Sequence, residues 1–168
     1  KTLDDLYSQS EKENNNFGAG MSLAKKTYYK IEKGDFVKNE PDWKKLDNLK
    51  PKDRTQNLIL KMTILKVKAE YYFKKNEFQK AQLFLDEGII LSNQFSPQPY
   101  ISGEIYYLYG KVKSKNSQYI EANQNLLKAS RIFENLNDQE SASQLFGDLA
   151  NVSFLIGEKE RALDYAKK

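Results

Sequence analysis

The stretch from Ile105 to Ala129, IYYLYGKVKSKNSQYIEANQNLLKA, decides the fold. Ile105, Tyr106, Tyr109, Gly110 and Val112 fall at helical spacing, which gathers them on one face. Asn116-Ser117 then interrupts the pattern with turn formers. Tyr119, Ala122, Leu126, Ala129 and Phe133 resume it, so the segment reads as a helix, a tight turn and an antiparallel return helix. The same residue types recur on either side at steps of 42, 41 and 40 positions. Leu23, Leu65, Tyr106 and Phe146 form a large apolar column, and Thr27, Ala69, Gly110 and Ala150 a small one. Gly34, Asn76, Ser117 and Gly157 are turn formers, and Asn39, Ala81, Ala122 and Ala162 make a fourth column, small in all but the first.

Self-similarity at such a period is the mark of stacked helical hairpins, each leaving an apolar face that only the next can cover. Small residues on both helices let the backbones approach, and the large neighbour fills the space beside the crossing. The pairs are Ala69 with Ala81, Gly110 with Ala122, and Ala150 with Ala162. In the second hairpin, Leu58, Met62, Leu65, Ala69 and Tyr72 lie on the outgoing face, Asn76-Glu77 breaks the helix, and Phe78, Ala81, Leu85, Gly88 and Ile89 return. Ser96-Pro97-Gln98-Pro99 separates it from the third, since proline cannot continue a helix. Asn137-Asp138 caps the fourth, which turns at Gly157.

The first copy fits worst. Its outgoing helix is expected over 17–33, with a turn at Gly34-Asp35-Phe36. Pro41 then restricts the return to a shortened helix through Trp43, Leu46 and Leu49, with Pro41 in its first turn, closed by Lys50-Pro51. Leu3 and Leu6 suggest a preceding helix ended by Asn14-Asn15-Asn16. The count from the sequence is eight helices and no strands. The expected fold is all-α, a right-handed α-α superhelix of antiparallel helix pairs. Its units are a half repeat over 2–14, an irregular repeat over 17–50, repeats over 55–95 and 99–136, and a truncated one over 139–168.

These positions resemble the tetratricopeptide repeat (TPR) family. Leu65, Ala69, Tyr72, Phe78, Ala81, Leu85 and Gly88 match its large–small–aromatic and aromatic–Ala–large–Ala pattern. Tyr106, Tyr109, Gly110, Tyr119, Ala122, Leu126 and Ala129 match best, and Phe146, Leu149, Ala150, Gly157, Ala162 and Ala166 complete the match. Lys68, Lys113, Lys159 and the return helix near Pro41 depart from it. The period near 40 resembles the long-helix branch common in bacterial regulators and peptide-binding scaffolds. The resemblance implies a concave face lined by the first helix of each pair. Carried onto this chain, exposed groove positions are expected at Met21, Ala24 and Tyr28, then Lys66, Glu70, Phe73 and Lys74. Glu104, Tyr107, Lys111, Ser114 and Lys115 follow, then Gln144, Gly147, Asn151 and Phe154. Lys66, Lys74, Lys111 and Lys115 beside Tyr28 and Tyr107 would form a basic stripe suited to an acidic peptide or terminal carboxylate. The bland alternative is solvated lysine beside half-buried tyrosine. A two-carboxylate clamp of the co-chaperone kind is rejected. Glu70 and Leu108 stand where asparagines are needed, and Gln144 with Asp148 replace two cations.

Composition narrows the chemistry. The 168 residues carry 27 basic and 23 acidic side chains, a net charge of +4, interspersed as on a solvated helical surface. There is no histidine and no cysteine, which removes Ser-His and Cys-His nucleophiles, thiolate metal sites and disulfides. Gly18-Ala19-Gly20 lacks the lysine and preceding strand of a phosphate loop and reads as a loose helix start. Neither an enzyme nor a cofactor is expected. No apolar run approaches the roughly 20 residues needed to cross a bilayer, so no membrane contact by this segment is expected.

The expected role is protein–protein or peptide binding, as the sensory or regulatory part of a larger bacterial transcriptional or signalling protein. The alternative is a periplasmic assembly or secretion receptor for an extended peptide. Direct nucleic-acid binding through Lys111, Lys113, Lys115 and Tyr107 is disfavoured because Lys113 falls off the groove face. The chain opens on Lys1 and stops at Ala166-Lys167-Lys168 inside an expected helix, which reads as a segment of something longer. Self-association through the broken repeat is a further expectation. The expected compartment is the bacterial cytoplasm or, with an upstream signal segment, the periplasm.

Overall fold

The computed structural model describes residues 2–35 and 40–168. Phe36 and Asn39, which the sequence placed in a turn and in the fourth column, lie outside the described residues. Among the described residues there are nine α-helices and no strand. They are α1 (Leu3–Lys12), α2 (Asn16–Glu32), α3 (Trp43–Asp47), α4 (Arg54–Lys74), α5 (Phe78–Ser92), α6 (Tyr100–Lys115), α7 (Tyr119–Asn135), α8 (Gln139–Ile156) and α9 (Lys159–Ala166). That is one more than the eight counted from the sequence, although the helices laid out there, with the shortened return at Trp43 among them, already number nine. The fold is all-α, an α-α superhelix of antiparallel pairs. α5 packs on α4, α7 on α6 and α9 on α8, while α2, α4, α6 and α8 contact one another in sequence to make a second row.

The turn column explains how the chain reverses. Gly34, Asn76, Ser117 and Gly157 all have positive φ, at 77°, 59°, 59° and 97°. Asn14 and Asn137 do the same between successive pairs, at 54° and 56°. A left-handed residue just past a helix lets the next amide reach back to a carbonyl of the last turn. Glu77 N–H donates to the Tyr72 carbonyl, Gln118 to Lys113, Asp138 to Phe133 and Glu158 to Ser153, each at 2.9 Å. Helix starts are secured by side chains where Thr, Asn or Asp stands at the cap, whereas the longer Glu77, Gln118 and Glu158 make no such bond. Asp53 accepts from Gln56 N–H at 2.7 Å, and Asp138 from Ser141 N–H at 3.1 Å.

The small columns sit where the helices cross. Ala69, Ala81 and Ala122 are wholly buried. A Cβ at Gly110 would lie 2.7 Å from Leu126 Cγ and 3.2 Å from the Ala122 carbonyl oxygen, so only hydrogen fits without movement. Leu65, Leu85, Ile105 and Val112 join Ala69 and Ala81 in one apolar cluster. Tyr106, Leu126, Phe133, Leu145 and Leu149 form the next. Ala24, Ile31, Leu46, Leu60 and Tyr71 form the one nearest the N-terminus.

The first pair differs from the expectation in detail. α2 begins at Asn16, with Asn15 as its cap accepting from Gly18 N–H. Pro41 is not in the first turn of α3; it precedes the capping Asp42, whose carboxylate accepts from Lys45 N–H at 3.0 Å. Leu49 falls beyond the end of α3. The helix is only five residues long, because a proline stands just before its cap and Pro51 follows shortly after.

Candidate functional site

The row α2, α4, α6 and α8 places one or two turns of each helix around a cavity of about 230 Å³. Tyr28, Lys66, Glu70, Lys74, Tyr107 and Lys111, all expected at the groove, line it together. The fourfold spacing of Lys66, Glu70 and Lys74 puts them on one stripe of α4.

Lys66 is buried, with Nζ 4.0 Å from the Tyr28 ring centroid and 3.5 Å from Glu104 Oε1. Burial alone would lower its pKa; the Glu104 and Glu70 carboxylates outweigh that and hold the ammonium above its ordinary value. Lys74 Nζ lies 3.0 Å from Glu32 Oε1. Lys111 Nζ stands 5.4 Å from the Phe73 ring centroid and 5.3 Å from that of Tyr107. The Tyr107 hydroxyl donates to Asp148 Oδ2 at 2.9 Å, and burial together with that carboxylate pushes the phenol above its usual range. The expected basic stripe is therefore not a row of available cations. Three of its four lysines already face carboxylates or aromatic rings.

Glu70 is the exception. It is only 8 % exposed, and its Oε2 is shut off from solvent with no hydrogen bond. Burial raises its pKa, with Lys66 and then Lys111 pulling against the rise. Of the buried side-chain polar atoms without a hydrogen bond among the described residues, it is the one on an ionisable group.

A second cavity, of about 430 Å³, adjoins the first and shares Tyr28, Lys66, Tyr100 and Glu104 with it. Its remaining wall is largely apolar, with Leu3, Leu6, Met21, Tyr29, Val67 and Ile101. Together the two make a cleft with a charged half and an apolar half.

Several expected positions are buried rather than exposed, and others lie away from the cavity. Ala24 is wholly buried in the core rather than exposed, and Lys66 and Glu70 are buried too. α2 and α6 pack tightly enough on α4 to cover them. Ser114, Lys115, Asn151 and Phe154 do not line the charged cavity; they belong to the C-terminal parts of α6 and α8, and Phe154 is exposed. Lys113 turns away from the cavity, donating to Gln118 Oε1 at 3.2 Å and lying over the Tyr109 ring.

Sequence reasoning missed Glu32, Tyr100, Ser141 and Phe133 in this wall. One more helical step from Tyr28, Glu104 and Gln144 reaches the first three. The Tyr100 hydroxyl lies 3.1 Å from Ser141 Oγ across α6 and α8. Phe133 comes from α7 and reaches the cavity past Gly103, where a Cβ would stand 2.5 Å from its ring. The signal for it was the glycine.

Among the described residues, no group of three His, Cys, Asp or Glu side chains is placed to hold a metal ion. No helix among them is long and apolar enough to cross a membrane.

No protein-family model matches the chain, and no curated protein matches it in sequence. Among solved structures, the crystal structure of BtubC (BKLC) from P. vanneervenii superposes with a TM-score of 0.80. The match covers 99% of this chain and 67% of that one at 14% identity. At that identity the likeness establishes a common all-helical architecture and carries nothing further.

Proposed function

We propose that this segment is a TPR-type interaction scaffold whose inner row of helices holds an extended peptide. It would serve as the binding part of a larger bacterial regulatory or signalling protein rather than as an enzyme. The observation that carries the reading is the two-part cleft: an apolar cavity and a charged one, continuous through Tyr28, Lys66, Tyr100 and Glu104. A peptide presents side chains of both kinds at short intervals, so such a cleft can anchor one residue and orient its neighbour. The repeat columns support the reading independently, because stacked hairpins gain stability by nearest-neighbour packing and leave one wall uncovered. The absence of histidine and cysteine from the sequence argues in the same direction.

The test is a selection of random peptides displayed against the whole segment. A family of enriched peptides is expected. Gln144→Trp, which fills the charged cavity from α8, should weaken the best of them at least tenfold while leaving the helical circular-dichroism signal and melting temperature in place. Failure to enrich any peptide would reject the proposal, as would enriched peptides indifferent to the blocking tryptophan.

A further inference from the structure

We propose that the cavity at Glu70 is a receptor for a cationic side chain, the ammonium of a lysine or the guanidinium of an arginine, on the bound peptide. The inference rests on the peptide-binding reading and gives it a chemistry. Four carboxylates and three ammonium groups gather around this cavity. Lys66 pairs with Glu104, Lys74 with Glu32, and Lys111 lies over the Phe73 and Tyr107 rings. Asp148 accepts from the Tyr107 hydroxyl. Glu70 feels Lys66 and Lys111 without a close ion pair to either; it is nine-tenths buried, lines the cavity and has an oxygen that receives no hydrogen bond.

A buried carboxylate without a donor is costly, and native structures seldom keep one without a reason. The cavity that Glu70 lines, about 230 Å³, gives room for a donor once a turn of the carboxyl brings the shut-off Oε2 to the open space. An incoming ammonium or guanidinium would complete the charge balance and donate to Glu70 at the same time. An acidic residue would instead bring a second negative charge against Glu70. The Tyr28 and Tyr107 rings line the same space, but Lys66 and Lys111 already stand over their faces, so the preference comes from Glu70. The adjoining apolar cavity would take a hydrophobic neighbour of the basic residue, with the Lys66–Glu104 pair standing between the two subsites.

The experiment has two arms. The segment, carrying 13C-labelled glutamate carboxyls, is titrated with n-butylammonium chloride and, separately, with sodium butyrate. One glutamate carboxyl resonance is expected to shift saturably with the ammonium, not with butyrate, and to be absent from Glu70→Gln. No saturable shift, or a shift caused by butyrate, would overturn the cation site. The second arm uses the displayed peptides. They should be enriched in Lys or Arg beside an apolar residue, and Glu70→Gln should weaken them about tenfold or more without lowering the melting temperature. Replacing Lys115, exposed and outside the cavity, should leave them unchanged. Enriched peptides that lack a basic residue, or that ignore Glu70→Gln, would sink the cation receptor while leaving peptide binding standing. A butylammonium response with no enriched peptide would do the reverse, assigning the site to a small amine and refuting the peptide source.

Discussion

The first helix pair and the two that follow share an outgoing helix but not a return. α4 and α5 are 21 and 15 residues long, and α6 and α7 are 16 and 17. α2 has 17 residues, yet its return, α3, has five. Prolines at 41 and 51 leave no room for more. What remains of the return acts as a plug. Leu46 is buried to 1 % exposure, Trp43 packs edge-on to Tyr71 at 5.5 Å, and Lys68 Nζ lies 2.8 Å from Asp47 Oδ2. Beside the plug an open trough of about 480 Å³ runs between Leu49, Leu60, Lys68 and Phe84. α2 is nevertheless held in place by α1 and α4, so Tyr28 and Glu32 reach the cavity. The comparison teaches that the row α2, α4, α6 and α8 builds most of the site, while the return helices supply stability that one pair can do with less of.

The sharpest way to break that contrast is to delete the same side chain from both returns. Leu85 in α5 and Leu46 in α3 are each at most 1 % exposed. Leu85→Ala is expected to cost about 2–5 kcal/mol, because α4, α5 and α6 enclose the site and it cannot collapse. Leu46→Ala should fall at the low end, about 2 kcal/mol, since a five-residue helix can shift to close the gap. Urea unfolding followed by circular dichroism measures both. Equal losses would mean that α3 is as rigidly built in as α5.

A smaller effect is expected from adding side chains rather than removing them. Gly110→Leu must displace Leu126 and crowd the Ala122 carbonyl, and should cost about 1–3 kcal/mol. Gly147 lies in α8 with nothing within 4 Å of where a Cβ would be. Gly147→Ala should therefore be neutral or stabilising by up to about 1 kcal/mol, from helix propensity alone. Thermal melts of the two variants side by side would show whether the crossing, rather than glycine itself, sets the cost.

What could be read from the sequence follows the same division. The columns at Leu65, Ala69, Asn76 and Ala81 repeat because each hairpin crosses and turns by the same geometry, so their types announce both the helices and the reversals. The positive φ of Gly34, Asn76, Ser117 and Gly157 is the direct counterpart of the turn column. The groove stripe was legible as far as Tyr28, Lys66, Glu70, Lys74, Tyr107 and Lys111, because fourfold spacing on a helix is local information. Charge neutralisation was not. Whether Lys74 meets Glu32, or Lys111 meets Phe73, depends on how neighbouring helices pack, and neither spacing is written in one helix. Phe133 was hidden for the same reason, entering from the outer row through the gap left by Gly103. Pro41 signalled trouble in the first return, but not how little helix would survive it.

The smallest effect separates two glutamates of the second pair. Burial raises the pKa of Glu70 on the inner wall, whereas hydrogen bonds from Lys80 and Lys75 lower that of Glu77, at the exposed turn. The signs of their pH dependence are opposite. A carboxyl whose folded pKa is raised favours the fold below the ordinary carboxylate range, and that contribution is lost as pH climbs through the raised value. Glu70→Gln should thus match the wild type in acid and exceed it at neutral pH, by up to about 1 kcal/mol, with Lys66 still paired to Glu104. A carboxylate with a lowered pKa contributes above the ordinary range and loses that contribution as pH falls through the lowered value. Glu77→Gln should be no more stable than the wild type at neutral pH, and the gap should close in acid. Melting temperatures of both variants across the acid-to-neutral range read the two slopes directly. Parallel slopes would mean that Glu70 finds a donor in solution, and the cation receptor at Glu70 would lose its physical basis.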